Sequence, residues 1–571
     1  MNTAQLNRRR AVQLVDTAIA LGLRHAVISP GARNTPVVLA LHDAREAGKP
    51  IALHSVIDER AAGFFALGIA RRTDRPVLLS CTSGSAAAHY FPAIVEASEG
   101  QVPLMVVTAD RPEELQDCGA PQTMPQANLY GQQVRYGISL DAPSAVNDIK
   151  TVARVTRDAW SAAIQSAPGP VHINLRFRKP LWAPDSPVFQ PVPIQSFDRL
   201  PLELTPDVTT RFIDEVRDKR GIIVVGTDSS QRLNTEAVVA LGQQLGWPIL
   251  ADPVNGLRFG ASGPIVRHHD TLLRSERFRD AFIPELAITI GGTSSSRPLE
   301  HLLRATPCIA INDSGRRWDP WGSVKWTIQA DVDDLLSEVS KASIPPTTEN
   351  WCTRWLKADA TAQAAIQTLC ADGLWEGSIA HQMVANLPQN TLLRIASSMP
   401  IRDMDSFAVN DGTSIAVSSN RGVNGIDGTI ATTFGEALVH NGPTAVLMGD
   451  LSFIHDASAL LTTPKPETPT VITVVNNAGG GIFGFLPMKD HPTGFTPWYI
   501  TPHSHDIAAI ARAAGIETTE PTTLSEYVEA LKTGIESPGV TLIHVQIDRE
   551  LSTQKHTETW SSICQAIEST L

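Results

Sequence analysis

Asp450, in MGDLSF, and Asn477, in VVNNAGGGIF, each follow an apolar run of strand character. Asp450 stands 27 positions before Asn477. A carboxylate and an amide oxygen at neighbouring strand ends, joined by a glycine-loop carbonyl, form a hard oxygen set suited to Mg²⁺. Magnesium prefers near-octahedral oxygen ligation and commonly shares it with phosphate. The glycines at 479–481 let backbone approach such phosphates closely. Either residue alone reads as a strand end or a helix cap; the pairing favours the metal. GGGIFG also matches G-x-G-x-x-G, but two asparagines separate it from the strand. The chain about 20 residues on reads YITPHSHD, with no acid ending a strand, so a dinucleotide site is disfavoured.

The elements that must hold these groups repeat one rhythm of short apolar strand, loop and helix. HAVIS, IALHSV, PVLLSC, VPLMVVTAD and GPVHINLRF read as strands of a first block. GIIVVG, LAITIGG and CIAIND belong to a second, and TAVLMGD, TVITVVNN and VTLIHVQID to a third. Strands alternating with helical segments imply βαβ units and parallel sheets, so the fold class is α/β with three doubly wound domains. Ligands in such sheets meet the carboxyl ends of strands. Pro-rich 184–207 and ASIPPTTENW (342–351) read as linkers, which puts the domains at 1–183, 205–342 and 352–571.

At 571 residues the chain is too long for one core. No apolar run approaches the roughly 20 residues of a bilayer span. MNTAQLNRRRAVQL reads as a first helix and not as a signal peptide, so a cytoplasmic location is expected. Six cysteines without a C-x-x-C pair argue against a thiolate metal site and a disulfide framework. A net charge of −12 with no basic run argues against a nucleic-acid partner. Anionic substrates would be met by a few local arginines.

The spacing from Asp450 to Asn477 resembles the diphosphate motif of thiamine-diphosphate enzymes, whose pyrimidine-binding, central and diphosphate-binding domains parallel the three blocks. SPGARNTPVVLAL, DERAAGFFALGIA, TSGSAAAHYFPAIVEAS, TADRPEELQDCGAPQTM, SSMPIRDMD, NRGVNGIDGTIATTFGEA, GDLSFIHD and NNAGGGIFGFLP occur in that order. Together they closely resemble the 2-succinyl-5-enolpyruvyl-6-hydroxy-3-cyclohexene-1-carboxylate synthase family of menaquinone biosynthesis. The likeness is strong in both outer blocks and weak in the middle one.

The resemblance implies thiamine diphosphate and Mg²⁺ as cofactors. It also implies decarboxylation of 2-oxoglutarate and addition of the remaining succinyl semialdehyde unit to isochorismate. Glu59 would be the glutamate beside the aminopyrimidine; read alone it is a first-turn acid complementing a helix dipole. Cofactor contacts would come from Glu59, Ile426, Asp450, Leu451, Ser452, Asn477, Gly479 and Gly480, with metal ligands Asp450, Asn477 and Gly479. Arg402 and Arg421, helped by Ser398, would grip the succinyl carboxylate; Arg33, Arg111 and Gln122 would face isochorismate. Guanidinium forks suit such carboxylates. Arg297 would add a basic contact, and Ile482, Phe483 and Leu486 would wall the site. The family shares each site between two chains, implying a homodimer or a dimer of dimers. Ala32, Asn34 and Pro121 depart from the family's usual SPGSRS and GANQ, while Ser85 keeps a hydroxyl. Lost hydrogen-bonding groups there would each cost about 1–3 kcal/mol if a partner were left unpaired. Ala32 and Pro121 are the best support for the alternative of a thiamine-diphosphate 2-oxoacid decarboxylase or carboligase with another acceptor, and the intact MPIRD and NRG loops stand against it. A non-catalytic thiamine-fold binding protein would be expected to have lost Glu59 or the metal ligands.

Overall fold

The computed structural model describes residues 1–144, 148–165, 167–183, 204–227, 233–347, 350–409 and 412–571. Most of the linker expected at 184–207, and residues 348–349 of the second, lie outside the described residues. Three six-stranded sheets carry the fold, and the strand pairs in each are parallel.

The first sheet holds β1 (His25–Ile28), β2 (Ala52–Ser55), β3 (Val77–Cys81), β4 (Leu104–Asp110), β5 (Tyr136–Leu140) and β6 (Pro170–Arg176). Its order is β2-β1-β3-β4-β6-β5. The second holds β7 (Gly221–Val225), β8 (Ile249–Ala251), β9 (Ile265–Val266), β10 (Leu286–Ile290), β11 (Cys308–Asn312) and β12 (Val324–Gln329), in the order β12-β11-β10-β7-β8-β9. The third holds β13 (Leu392–Ile395), β14 (Ala416–Ser418), β15 (Thr444–Gly449), β16 (Thr470–Asn476), β17 (Glu517–Thr519) and β18 (Val540–Gln546), in the order β14-β13-β15-β16-β18-β17. The first and third therefore share one winding, although no repeat is visible in the sequence. The middle sheet has the two-half order of dinucleotide-binding folds. Central strands such as β3, β4 and β16 are buried throughout, as strands covered on both faces must be.

The chain forms two compact units. The first comprises Met1–Leu200, Asn420–Asn441 and His455–Pro466; the second comprises Pro201–Ser419, Gly442–Ile454 and Glu467–Leu571. In the first unit, the helix Glu59–Thr73 packs on the helix Thr429–Val439, which comes from far along the chain. The two approach at glycines. A Cβ on Gly68 would lie 2.2 Å from the Thr432 carbonyl oxygen, and one on Gly435 would lie 2.1 Å from that of Phe65. Any larger residue would force the helix backbones apart. In the second unit the β10 sheet shares apolar packing with the helix Trp351–Leu369 and with the long C-terminal helix Arg549–Glu568, the latter through Ile563 and Ile567.

Candidate cofactor and substrate site

In the second unit the two asparagines that end β16 have different duties. Asn476 turns inward: its Nδ2 faces His544 Nε2 at 3.0 Å and Gln546 Oε1 at 3.1 Å, and its Oδ1 accepts from Ala478 N at 3.0 Å. Asn477 donates its Nδ2 to Glu376 Oε1 at 3.4 Å, while its Oδ1 is buried without a hydrogen-bond partner. A buried amide oxygen left unpaired costs about 1–3 kcal/mol. Such an orphan suits a cation ligand.

Asp450 follows β15 and opens the helix Asp450–Asp456. Its Oδ2 accepts from Gly479 N at 2.8 Å and faces His503 Nε2 at 3.1 Å; its Oδ1 accepts from Leu451 N at 2.7 Å. Burial raises its pKa, against the pull of those donors. Gly479 sits at φ +139, and a Cβ there would lie 2.2 Å from the Ile500 carbonyl oxygen. Arg549 Nη1 donates to the carbonyls of Asn477 (3.2 Å) and Ala478 (3.1 Å), pinning the loop from the C-terminal helix. The carboxylate, the orphaned amide oxygen and a glycine cradle thus fit a metal and a diphosphate. Leu451, buried Ser452 and buried Gly480 adjoin them in sequence. Ile482, Phe483 and Leu486 are half-buried in and just after a 3₁₀ turn at Gly481–Phe485, with the Phe483 ring edge-on to Tyr499 at 5.4 Å.

Ser398 precedes the helix Met399–Phe407 in a strained left-handed conformation, φ +77, unusual for a residue with a Cβ. Its carbonyl accepts from Arg402 Nη1. The middle block fastens the far end of this helix. Arg258 Nη2 donates to the Asp405 carbonyl at 2.7 Å, and Asp270 accepts from Ser406 Oγ at 2.8 Å and from Ser296 Oγ at 2.8 Å. Ser296 caps the helix Arg297–Arg304, so Asp270 lies one residue from the expected basic contact, Arg297. Arg297 itself is exposed.

Glu59, Arg33, Arg111, Gln122, Arg421 and Ile426 belong to the first unit; Arg297, Ser398, Arg402, the Asp450–Asn477 pair, Ile482, Phe483 and Leu486 belong to the second. Glu59 opens its helix behind Asp58, whose side chain caps Arg60 N at 3.0 Å and Ala61 N at 3.4 Å. The Glu59 carboxylate is half-buried, with no hydrogen-bond partner among the described residues. Burial raises the Tyr90 phenol well above its ordinary range, and the Glu59 charge adds to that push, which places the carboxylate near that side chain.

Arg33 is buried and donates Nη1 to the Phe177 carbonyl at 2.7 Å. Burial and then the like charge of Arg111 lower its pKa, opposed by Asp110. These two arginines therefore share one electropositive corner. Gln122 and Ser83 clasp each other: Gln122 Nε2 donates to the Ser83 carbonyl at 3.1 Å, and Ser83 Oγ to the Gln122 carbonyl at 3.0 Å.

The departures from the family pattern resolve into structural roles. Asn34 is fully buried and donates to the Ser29 carbonyl at 3.1 Å. The Ala32 carbonyl accepts from Thr35 Oγ1 at 2.7 Å, and the Pro121 carbonyl accepts from Arg111 Nη2 at 3.0 Å. Beside Arg421, the amides of Gly422 and Val423 both donate to the Glu96 carboxylate at 2.9 Å. Arg71 faces that carboxylate at 3.4 Å and donates to Asn420 Oδ1 at 2.9 Å. Ile426 is half-buried on the same loop. Sequence reading missed Glu376, Glu96, Arg71 and Asp270. Each is a charged residue in a helical segment whose partner lies far away along the chain.

Comparison with known proteins accords with this geometry. Residues 9–133 match the thiamine pyrophosphate enzyme N-terminal TPP binding domain, 199–395 the middle domain of thiamine pyrophosphate enzymes, and 409–545 the C-terminal TPP binding domain. A 2-succinyl-5-enolpyruvyl-6-hydroxy-3-cyclohexene-1-carboxylate synthase from Listeria monocytogenes is 35% identical, covering 97% of this chain and 97% of the relative. One from Myxococcus xanthus is 34% identical, covering 97% and 96%. The crystal structure of benzoylformate decarboxylase from Polynucleobacter necessarius superposes with a TM-score of 0.72 at 16% identity, covering 96% of this chain and 99% of that one, a likeness of fold. With relatives of this identity matching almost from end to end, the chain belongs to the 2-succinyl-5-enolpyruvyl-6-hydroxy-3-cyclohexene-1-carboxylate synthase family of thiamine pyrophosphate enzymes.

Proposed function

We propose that the protein decarboxylates 2-oxoglutarate and adds the resulting succinyl semialdehyde unit to isochorismate, in menaquinone biosynthesis. The observation that carries this reading is the 35% identity to a synthase of that name over 97% of both chains. Bound thiamine diphosphate supplies a nucleophilic carbon and the electron sink for loss of CO₂. The chain's task is to hold two polyanions in register and exclude water.

Asp450 Oδ, Asn477 Oδ1 and the Gly479 carbonyl would hold Mg²⁺ or Mn²⁺ beside the diphosphate. Glu59 would offer its carboxylate, which has no hydrogen-bond partner among the described residues, as the proton-holding group beside the aminopyrimidine. Arg402 and Arg421, with Ser398, take the remote carboxylate of 2-oxoglutarate, and Arg33, Arg111 and Gln122 orient isochorismate. Ile426 would give the cofactor an apolar support, while Ile482, Phe483 and Leu486 would help keep water from the site. In this reading the pyrimidine-binding, central and diphosphate-binding domains are 1–183, 205–342 and 352–571.

Two copies complete each site, as a homodimer or a dimer of dimers. Ile57, 70% exposed two residues before Glu59, and Val423, 47% exposed two residues after Arg421, support an apolar partner surface there. Among the described residues no helix is long and apolar enough to cross a membrane.

The test is a mass-spectrometric product assay with thiamine diphosphate, Mg²⁺, 2-oxoglutarate and freshly generated isochorismate, omitting each in turn. An adduct of isochorismate with the succinyl semialdehyde unit that requires every component is expected. CO₂ and succinic semialdehyde alone would assign the protein to the decarboxylases instead.

A further inference from the structure

His556 lies on the helix Arg549–Glu568, 1% exposed. Its Nδ1 faces the Ser552 backbone carbonyl at 2.8 Å, and its Nε2 faces Asp403 Oδ1 at 2.8 Å. A carbonyl oxygen can only accept, and so can an ionised carboxylate, so both ring nitrogens carry hydrogen and the ring is an imidazolium. Four aromatic rings enclose it: Trp375 at 5.0 Å, Phe407 at 5.6 Å, Phe485 at 5.4 Å and Trp560 at 5.4 Å between centroids. All lie within the range where an aromatic ring attracts a cation.

The charged groups facing the ring are Asp403 and Glu376. Burial works against the charged form, but these two carboxylates outweigh it and raise the pKa. Glu376 accepts from Ser552 Oγ through one oxygen, and through the other it takes Nδ2 of Asn477.

The neighbours of this one ring come from three segments tied to site residues of the second unit. Asp403 and Phe407 lie on the helix that carries Arg402, and Trp375 directly precedes Glu376, which orients Asn477. Phe485 ends the 3₁₀ turn that carries Ile482 and Phe483. We propose that His556 is a positioning residue for the donor half of the reaction: as a caged cation tied to Asp403, it fixes Arg402 against the Asn477 loop. The inference rests on the reading that Arg402 takes the remote carboxylate of 2-oxoglutarate.

Steady-state kinetics of the holoenzyme variants His556→Gln and Asp403→Asn test it, with Arg402→Ala beside them. Both variants are expected to raise the KM for 2-oxoglutarate about tenfold, the scale of one lost charge-assisted hydrogen bond. The KM for isochorismate should stay within about twofold. Variants that only reduce the folded fraction would lower kcat and leave both KM values unchanged, which would overturn the proposal. So would an equal rise in both. If Arg402→Ala raises the KM for 2-oxoglutarate and the other two do not, this inference alone fails. If Arg402→Ala leaves it unchanged, the donor-site reading fails with it. Should the variants not fold, ¹⁵N-histidine spectra of the wild type decide. An imidazolium signal that persists to higher pH than those of ordinary histidines is expected, and its loss at or below the ordinary range would overturn the proposal.

Discussion

Ser406 donates its hydroxyl to Asp270 at 2.8 Å, and through that bond the middle sheet's block holds the helix that carries Arg402. Asp270 is 3% exposed and also takes Ser296 Oγ and Arg274 Nε. Burial would raise its pKa, but Arg274 and the two hydroxyls outweigh burial and hold it low. Its contribution to stability is therefore present above the unfolded carboxylate pKa and is lost as pH falls through the folded value. Replacement of Asp270 by Asn should cost about 1–3 kcal/mol, since the amide group cannot accept from all three donors. The midpoint of urea unfolding measures the loss, and amide exchange along Met399–Phe407 should quicken.

Removal of the Glu59 charge by Glu59→Gln is expected to abolish product formation while thiamine diphosphate still binds. Fluorescence titration reports the binding and mass spectrometry the product. Normal turnover in that variant would move the proton exchange to another group.

Arg111 has two neighbours that fix it: it lies near Arg33, and it donates to the Pro121 carbonyl. Arg111→Ala should raise the KM for isochorismate by about tenfold or more, the scale of a lost charged hydrogen bond. The KM for 2-oxoglutarate should barely change. Paired kinetics with each substrate varied in turn separate the two.

A methyl group at position 479 would meet the Ile500 carbonyl oxygen at 2.2 Å in a backbone conformation that suits glycine alone. Gly479→Ala should therefore cost about 2–4 kcal/mol from strain and overpacking. Thiamine diphosphate and Mg²⁺ should bind more weakly to it. Thermal melts with and without both ligands check this: the ligand-induced rise in Tm should shrink.

Asp456 is fully buried and accepts from Ile430 N at 2.7 Å and Ala431 N at 2.9 Å, and burial pushes its pKa up to about 6. A carboxyl group whose folded pKa exceeds its unfolded value contributes stability below the unfolded pKa, and that contribution is lost as pH rises through about 6. The span from about 4 to about 6 corresponds to on the order of 3 kcal/mol. Asp456→Asn should remove that part of the pH dependence. Urea midpoints of wild type and variant should diverge as pH rises from about 4 to about 6 and keep a constant offset above that, with the variant gaining relative stability at the higher pH.

The sequence made the buried strands legible because an apolar run flanked by a glycine or an acid leaves few alternatives, as in TAVLMGD and TVITVVNN. Strands β5, β8, β9, β12, β13, β14 and β17 escaped that reading. Most are short or lie at sheet edges, and β12 and β17 alternate or expose polar residues that mask the signal. Asp450 and Asn477 stood out because polar residues at strand ends carry chemistry in parallel sheets. Glu376 and His556 did not, since a charged or imidazole side chain on a helix is normally solvated. Their burial depends on partners 101 and 153 positions away, Asn477 and Asp403. Asn34 and Pro121 were legible as departures from a pattern, but the inward hydrogen bond of Asn34 and the bond that the exposed Pro121 carbonyl takes from Arg111 are properties of the folded loops.

The glycine-lined seam between the helices Glu59–Thr73 and Thr429–Val439 also sets the order of events during synthesis. Domains generally form as they leave the ribosome, amino-terminal first. Here the helix that begins with Glu59 can pack early on the helix Phe91–Glu99 and on β3, but the face carrying Gly68 lacks its partner until residues beyond 430 have been translated. The nascent first unit therefore lacks the cover that Gly428 gives the Phe64 ring while the whole middle block is made. A gene fragment ending near residue 183 would produce a chain that stays in that uncovered state and is prone to aggregate.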